Sequence, residues 1–381
     1  MSGLRVAVDA RPLDIDYLRA QGIGRYAHGL LGPLAEVAAE HGGQLTALRA
    51  AGVRDSPFGV TPGARPRTVE VRRPPFPARY ADLLEQVALP VTLRGAGAQV
   101  HHSLSIYRAP VLALRPHVMT MHDVVPLMWP ERYLRTGLIH KLLYRAAQRA
   151  DLLLAVSEAA RRDTIAHLGI DPEKVECVPE AADERFTPSD AAKIRDRLGL
   201  AGPYVVWVGG LATHDPRKNL EGLVTSFASW QREAGRTETL VLAGGLGPAG
   251  RELRALAART GARIAFPGFV PDPELPALYS GARCMVTASR YEGFGLPALE
   301  AISCATPVVA FDVGAVPEVA GAGALTVRDG DLRALMAAVA RVCDEPELHA
   351  RLRAGGLAHA EGYSWRRTAQ LTWRAYERVA R

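Results

Sequence analysis

Cysteine is scarce in this chain: its 381 residues hold four, Cys177, Cys284, Cys304 and Cys343, far apart and without a CxxC pair. That spacing argues against a disulfide framework or a zinc ribbon. Three of the four sit in apolar, core-like stretches, so reduced, buried thiols are expected. Long apolar runs are missing too, and none reaches the roughly 18 residues that span a bilayer. The apolar stretch 4–8 is cut short by Asp9 and Arg11, which is not a secretory leader, so a cytoplasmic protein is expected. Aromatic residues make up only 6% and no basic run interleaves with them, so nucleic acid is not expected as a partner. Repeats and low-complexity tracts are absent. The proline- and arginine-rich stretch 57–77 reads as a long loop.

What is present is an ordinary globular composition, 48% hydrophobic and 23% charged. Length points to two domains. Lys plus Arg outnumber the acids 46 to 40, a net charge of +6, which suits a small anionic substrate. Lys141, Arg145 and Arg149 repeat every fourth residue on one predicted helix. A solvated basic face is the preferred reading, and peripheral docking on the inner face of a membrane the competing one.

Short β-branched runs alternate with helical patterns throughout, which predicts parallel sheets covered by helices. The expected strands are 4–8, 44–48, 69–71, 100–101, 118–121 and 152–156, then 204–208, 239–242, 263–266, 284–287, 307–310 and 324–327. Each set makes a doubly wound sheet. Residues 178–188, with Pro179 and Pro188, read as the linker, followed by a helix over 189–198. The last segment, 363–381, places Trp365, Ala369, Thr372, Tyr376 and Val379 on one helical face behind Ser364 as N-cap. Such an aromatic stripe must pack on something, and a return to the first domain is expected.

The strongest chemical signal is Glu292-Gly293-Phe294-Gly295-Leu296-Pro297-Ala298-Leu299-Glu300. It follows a predicted strand and enters a helix with Pro297 in the first turn. The glycines let backbone approach a ligand, and a helix start suits an anion. Acids beside a phosphate would repel it, so Glu292 is expected on a sugar hydroxyl and Glu300 on a ribose. Glu300 could instead be a first-turn acid favoured by the helix dipole. A glycosidase acid–base pair is a further alternative, which the flanking phosphate-type architecture disfavours. Arg217 and Lys218 follow Gly209-Gly210 and could neutralise a departing diphosphate without a metal.

Taken together, these strings resemble retaining glycosyltransferase family 4. Arg217-Lys218-Asn219-Leu220, Gly268-Phe269-Val270, 275–279, Pro307-Val308-Val309 and Pro317-Glu318-Val319 are similar to its nucleotide-domain landmarks. Gly22-Ile23-Gly24-Arg25-Tyr26, His122-Asp123 and Val156-Ser157-Glu158 are similar to its acceptor-domain landmarks. The resemblance covers nearly the whole chain and is most specific over 204–320. It implies the GT-B fold, two Rossmann-like doubly wound domains facing across a cleft. An acceptor-binding domain would span 1–182, a nucleotide-sugar domain 183–363, and a C-terminal helix 364–381.

It further implies Gly22 and Gly24 in a loop at the donor phosphate, with the helix beginning near Arg25. Gly209, Gly210, Phe294, Gly295, Leu296 and Glu300 would bind donor. His122, Arg217, Lys218 and Glu292 would be catalytic. His122 would face the donor sugar, bonding a hydroxyl or steadying an oxocarbenium-like state; a loop histidine satisfied by Asp123 is the bland alternative. No metal and no cofactor are implied. The partners are an NDP-sugar, with GDP-mannose the first guess from the likeness of 8–11, 22–26 and 122–127 to the mannosyltransferase-like branch, and a small-molecule, glycan or lipid-linked acceptor.

Other motifs compete. Asp14-Ile15-Asp16 is literally a DxD but sits in a loop after the first strand, and is read as solvated. Gly245-Leu246-Gly247-Pro248-Ala249-Gly250, with Asp272 beyond it, fits a dinucleotide fingerprint and keeps an NAD-binding protein open as a rival. A nucleotide-sugar epimerase or phosphorylase on the same fold is the other. The sequence departs from the family at Ala181-Ala182, where Gly-Val is common, and at Ala305, where glycine is common. Both changes bear on turn shape.

Overall fold

The computed structural model describes residues 3–14, 22–51, 66–71, 89–95, 97–106, 109–110, 116–133 and 138–381. The chain divides into two compact units, Met1–Ala181 with Ser364–Arg381, and Ala182–Tyr363.

The first unit is built on seven strands: β1 Arg5–Asp9, β2 Gln44–Ala50, β3 Arg67–Val71, β4 Val100–Ser103, β5 His117–Met121, β6 Leu152–Ala155 and β7 Val175–Cys177. Their order is β3-β2-β1-β4-β5-β6-β7, and every pairing is parallel. The sequence reading missed β7. It is three residues long with a single buried position, too short for a periodic signal. The loop expected over 57–77 also needs correction, because β3 runs through it; the remainder of that stretch lies outside the described residues.

The second unit carries six strands: β8 Tyr204–Val208, β9 Thr239–Ala243, β10 Ile264–Gly268, β11 Met285–Thr287, β12 Val308–Phe311 and β13 Ala324–Val327. They order as β10-β9-β8-β11-β12-β13, again all parallel. Val205, Val206, Leu240, Val241 and Val286 are fully buried, which is why these strands read as continuous apolar runs. In both sheets the winding reverses beside the first strand, between β1 and β4 and between β8 and β11. Ligands of such sheets collect outside the strand C-termini at that reversal, so the segments leaving β8 and β11 are where chemistry is to be sought.

The C-terminal helix, Trp365–Val379, is capped by the Ser364 side chain, which accepts from Arg367 N–H. It packs on the helix Gly22–Glu40, with Trp365 edge-on to Tyr26 at 5.9 Å. Its buried face differs from the expected stripe: Thr368, Trp373 and Ala375 join Ala369, Thr372 and Tyr376, while Trp365 and Val379 are only half-buried. The sequence reading began the first long helix near Arg25, but it starts at Gly22. Gly22 and Gly24 are therefore first-turn residues. The helix expected over 189–198 is shorter, Ala192–Arg197.

Arg145 and Arg149 are exposed; the side chain of Lys141 lies outside the described residues. No described helix is long and apolar enough to cross a membrane. Ala305 adopts φ of 55°, so the turn keeps the left-handed shape that glycine would favour, at a cost of roughly 1–2 kcal/mol.

Candidate active site

In the second unit, the segment leaving β8 begins with Gly209, whose N–H donates to Ala243 O at 3.0 Å. Asp215 then caps a short turn, Pro216–Lys218, by accepting from Arg217 N–H. The same carboxylate takes a second bond, from Arg217 Nη2 at 3.1 Å, so backbone and side chain of Arg217 are fixed by one residue. Arg217 O accepts from Arg290 N–H at 2.7 Å, which ties this turn to the segment leaving β11. The result brings Arg217 Nη1 within 3.7 Å of Glu292 Oε2. Lys218 lies over the Trp207 ring, Nζ 5.4 Å from its centre, beside the Gly209 backbone. Two cations and two acids thus gather at the C-terminal ends of β8 and β11.

Glu292 is held by a contact that the sequence reading did not find. Ala315 N–H donates to Glu292 O at 2.9 Å, and the chain of Gly314, at φ of 52°, runs so close that a Cβ there would lie 2.4 Å from that same oxygen. Only glycine meets both demands. Gly314→Ala is expected to lower stability by about 1–3 kcal/mol and to reduce turnover by displacing Glu292. Denaturant unfolding alongside steady-state rates checks this; an unchanged turnover would detach Gly314 from the site.

Gly295, at φ of 90°, caps the eight-residue helix Leu296–Ser303. Phe294 and Leu296 are buried, at 5% and 8% exposure; Phe294 meets the Tyr363 ring edge at 6.0 Å. Glu300 is buried too, and its Oε2 accepts from Tyr279 O–H at 3.0 Å. Burial first and the Glu300 charge second push the Cys304 thiol up to about 12. The structure therefore joins Arg217, Lys218, Glu292 and Gly209, and turns the Glu300 carboxylate toward Tyr279.

Two of the three glycines of the Gly245–Gly250 fingerprint have a packing explanation. A Cβ on Gly247 would lie 2.3 Å from Ala212 O, and one on Gly250 2.8 Å from Leu211 O. Leu211 and Leu246 form a parallel bridge. These glycines let two backbone segments touch, which accounts for them without a dinucleotide.

In the first unit, His122 follows β5. Its Nδ1 lies 3.0 Å from Glu180 Oε1 and its Nε2 2.9 Å from Leu104 O. Tyr26 stands edge-on to the ring at 4.9 Å. Burial pulls the imidazole pKa down, but the bond to Glu180, its charge, the Leu104 carbonyl and Asp123 together hold it above 6.5. The bland alternative was wrong about the partner. Glu180, not Asp123, satisfies His122, while Asp123 Oδ1 accepts from Val125 N–H at 3.0 Å. No signal in the sequence links two residues 58 apart.

Beneath this pair runs a buried chain. Tyr26 O–H and Thr120 Oγ1 lie 3.0 Å apart, His102 Nε2 is 2.8 Å from Thr120 Oγ1, and His102 Nδ1 is 2.6 Å from Tyr376 O–H.

Asp14 is not solvated as expected. It is paired with Arg49, whose Nε donates to Asp14 Oδ1 at 2.7 Å, and it accepts from Ala50 N–H at 2.6 Å. A short polar side chain after a strand found its partner on the neighbouring strand, which the local pattern could not reveal. Ile15 and Asp16 lie outside the described residues. Among the described residues no group of three or more His, Cys, Asp or Glu could hold a metal ion. Cys284 and Cys304 are buried, whereas Cys177 and Cys343 are half-buried, one fewer in the core than expected.

Residues 21–186 match the family described as Glycosyltransferase Family 4, and residues 202–345 match Glycosyl transferases group 1. An O-antigen chain mannosyltransferase B of Escherichia coli is 32% identical over 316 residues, 79% of this chain and 82% of that protein. A serotype-specific mannosyltransferase, WbdA, of the same organism is 29% identical over 69% of this chain, which spans only 33% of that longer protein. Among solved structures, sucrose-phosphate synthase from Thermosynechococcus elongatus superposes with a TM-score of 0.77 at 21% identity, covering 99% of both chains. Anabaena HepE in complex with UDP-glucose superposes at 0.75 with 20% identity, covering 99% of this chain and 100% of that one.

Proposed function

The chain belongs to glycosyltransferase family 4 and is a glycosyltransferase of the GT-B fold, and from that premise we propose that it moves mannose from GDP-mannose to an acceptor hydroxyl, with retention and without a metal. The carrying observation is Arg217 fixed on Asp215 and set 3.7 Å from Glu292, with Lys218 alongside, where β8 and β11 end. The two cations steady the diphosphate as the sugar C1–O bond breaks. Glu292 accepts from a sugar hydroxyl. The acceptor oxygen bonds C1 on the face being vacated, and its proton passes to the diphosphate oxygen. Gly209, Gly210 and the Phe294–Leu296 turn line the donor. Glu300 reaches the ribose if its bond to Tyr279 opens on binding. The first unit binds a small-molecule, glycan or lipid-linked acceptor and carries His122.

The mannosyltransferase relatives support mannose as the sugar; the UDP-glucose complex of HepE makes UDP the competing base. A nucleotide at 100 times its Kd adds about 2.7 kcal/mol, which for a unit the size of Ala182–Tyr363 raises Tm by roughly 5–10 °C. GDP should give that rise, UDP a smaller one and NAD none. A rise with UDP alone would overturn the donor, and a rise with NAD alone would overturn the class. Release of free mannose or a mannosylated product then separates transfer from epimerisation.

A further inference from the structure

We propose that Glu180 is a positioning residue that clamps His122 as an imidazolium, so that His122 serves as a fixed hydrogen-bonded cation and not as a general base. Both ring nitrogens of His122 face oxygens, the Glu180 carboxylate at 3.0 Å and the Leu104 carbonyl at 2.9 Å. A neutral imidazole has one N–H and one lone pair. With Nε2–H given to the carbonyl, Nδ1 either donates to a carboxylate or accepts from a protonated Glu180. An imidazole nitrogen is a stronger base than a carboxylate oxygen, which puts the proton on the ring.

The pair is sheltered, with side chains 15% and 4% exposed, so solvent does not compete for it. The other groups facing the ring agree. Asp123 adds negative charge from the same loop. The Tyr26 hydroxyl, bonded to Thr120, stays protonated. His102, on β4, is held neutral, its pKa lowered to about 3 by burial first, then by the charges of His117 and His122.

The clamp is anchored by the C-terminal helix. Thr368 Oγ1 donates to Pro179 O at 2.7 Å, one residue before Glu180. Tyr376 ends the bonded chain that runs under Tyr26. This gives a physical reason for the last helix to belong to the first unit: it fixes the carboxylate that fixes the histidine. The clamp also removes the ring lone pair that a general base would need to take the acceptor proton. That leaves the proton to the diphosphate oxygen, and on this point alone the inference rests on the hexosyl-transfer reading.

Histidine NMR titration of the full chain tests the clamp without any substrate. In the native protein His122 should titrate above 6.5. In Glu180→Gln, which keeps the size and an acceptor but loses the charge, it should fall below 6.5. Glu180→Asp should keep it raised. In turnover of the nucleotide-sugar, the alkaline limb should move down by one pH unit or more in Glu180→Gln, with the donor KM changed less than threefold. Unshifted titration in folded Glu180→Gln would overturn the clamp. An absent turnover in native protein, beside a shifted titration, would overturn only the transfer reading. Should the Gln variant not fold, a lowered His122 pKa in Glu180→Asp would overturn the proposal equally.

Discussion

Arg217→Ala is expected to lower kcat by about 10²–10³-fold, the loss typical when one preorganised donor to a developing oxyanion is removed. The effect should fall mainly on kcat, because diphosphate charge grows as the sugar departs. A ground-state contact would raise KM instead. The structure explains why alanine cannot be compensated by a neighbour. Arg217 is the guanidinium that Asp215 orients through two bonds, to N–H and to Nη2, and Lys218 is committed to the face of Trp207. Removing Arg217 also leaves Asp215 and Glu292 as neighbouring acids without the cation between them. Arg217→Lys keeps the charge but loses the fork that reaches both acids, so an intermediate loss of roughly tenfold is expected. Stability should fall as well, since these side chains are only 16–23% exposed and both acids lose their cation, so unfolding is measured beside the rates. Steady-state kinetics on a single donor measure those rates, and an Arg217→Ala enzyme within threefold of native turnover would remove Arg217 from the chemistry.

The second large effect is on acid stability. His101, His102 and His117 are buried together in β4 and β5, with His101 stacked on His117 at 4.9 Å. Burial is the first cause that lowers all three, His102 to about 3, His117 to about 4 and His101 well below 6.5. Each is neutral when folded and binds a proton near 6.5 when unfolded. Their contribution is therefore complete above about pH 6.5 and is lost as pH falls toward 4 and 3. The slope is about 1.4 kcal/mol per pH unit for each histidine, or roughly 4 for three. His122 has the opposite sign, since its raised pKa contributes fully below 6.5 and is lost only at higher pH.

The first unit should consequently open before the second between pH 6 and 4, and hydrogen exchange read by mass spectrometry would resolve the two. Simultaneous opening would contradict the assignment. His101 carries the sharper test, because both its ring nitrogens lack a hydrogen-bond partner in the described structure. His101→Phe keeps the stacking ring, removes that unmet demand, and should be neutral or stabilising at pH 7.5 while flattening the acid slope by one proton.

Much of the site was legible in the sequence because its parts are local strings. Gly209, Arg217, Lys218 and Glu292 each sit at the exit of a strand that the apolar runs already predicted. The reversal of strand order then brings those exits together. Gly314 was not legible, although its place after β12 resembles the other strand exits; its demand for glycine arises only from the oxygen of Glu292, 22 residues earlier. Glu180 was read as part of a turn, since an acid beside proline carries no mark of its buried partner. The Gly245–Gly250 string has the letters of a dinucleotide fingerprint, yet its Gly247 and Gly250 serve backbone contact.

The amino-acid sequence by itself determined the alternation of strand and helix, the two sheets, and the residue types available at each strand exit, because periodicity and turn chemistry act over a few residues. Tertiary structure alone decided the protonation of His122, the burial of Glu300 against Tyr279, the pairing of Asp14 with Arg49 and the three-histidine core. Those outcomes depend on desolvation and on oxygens contributed by distant segments, and neither exists until the chain has closed around them.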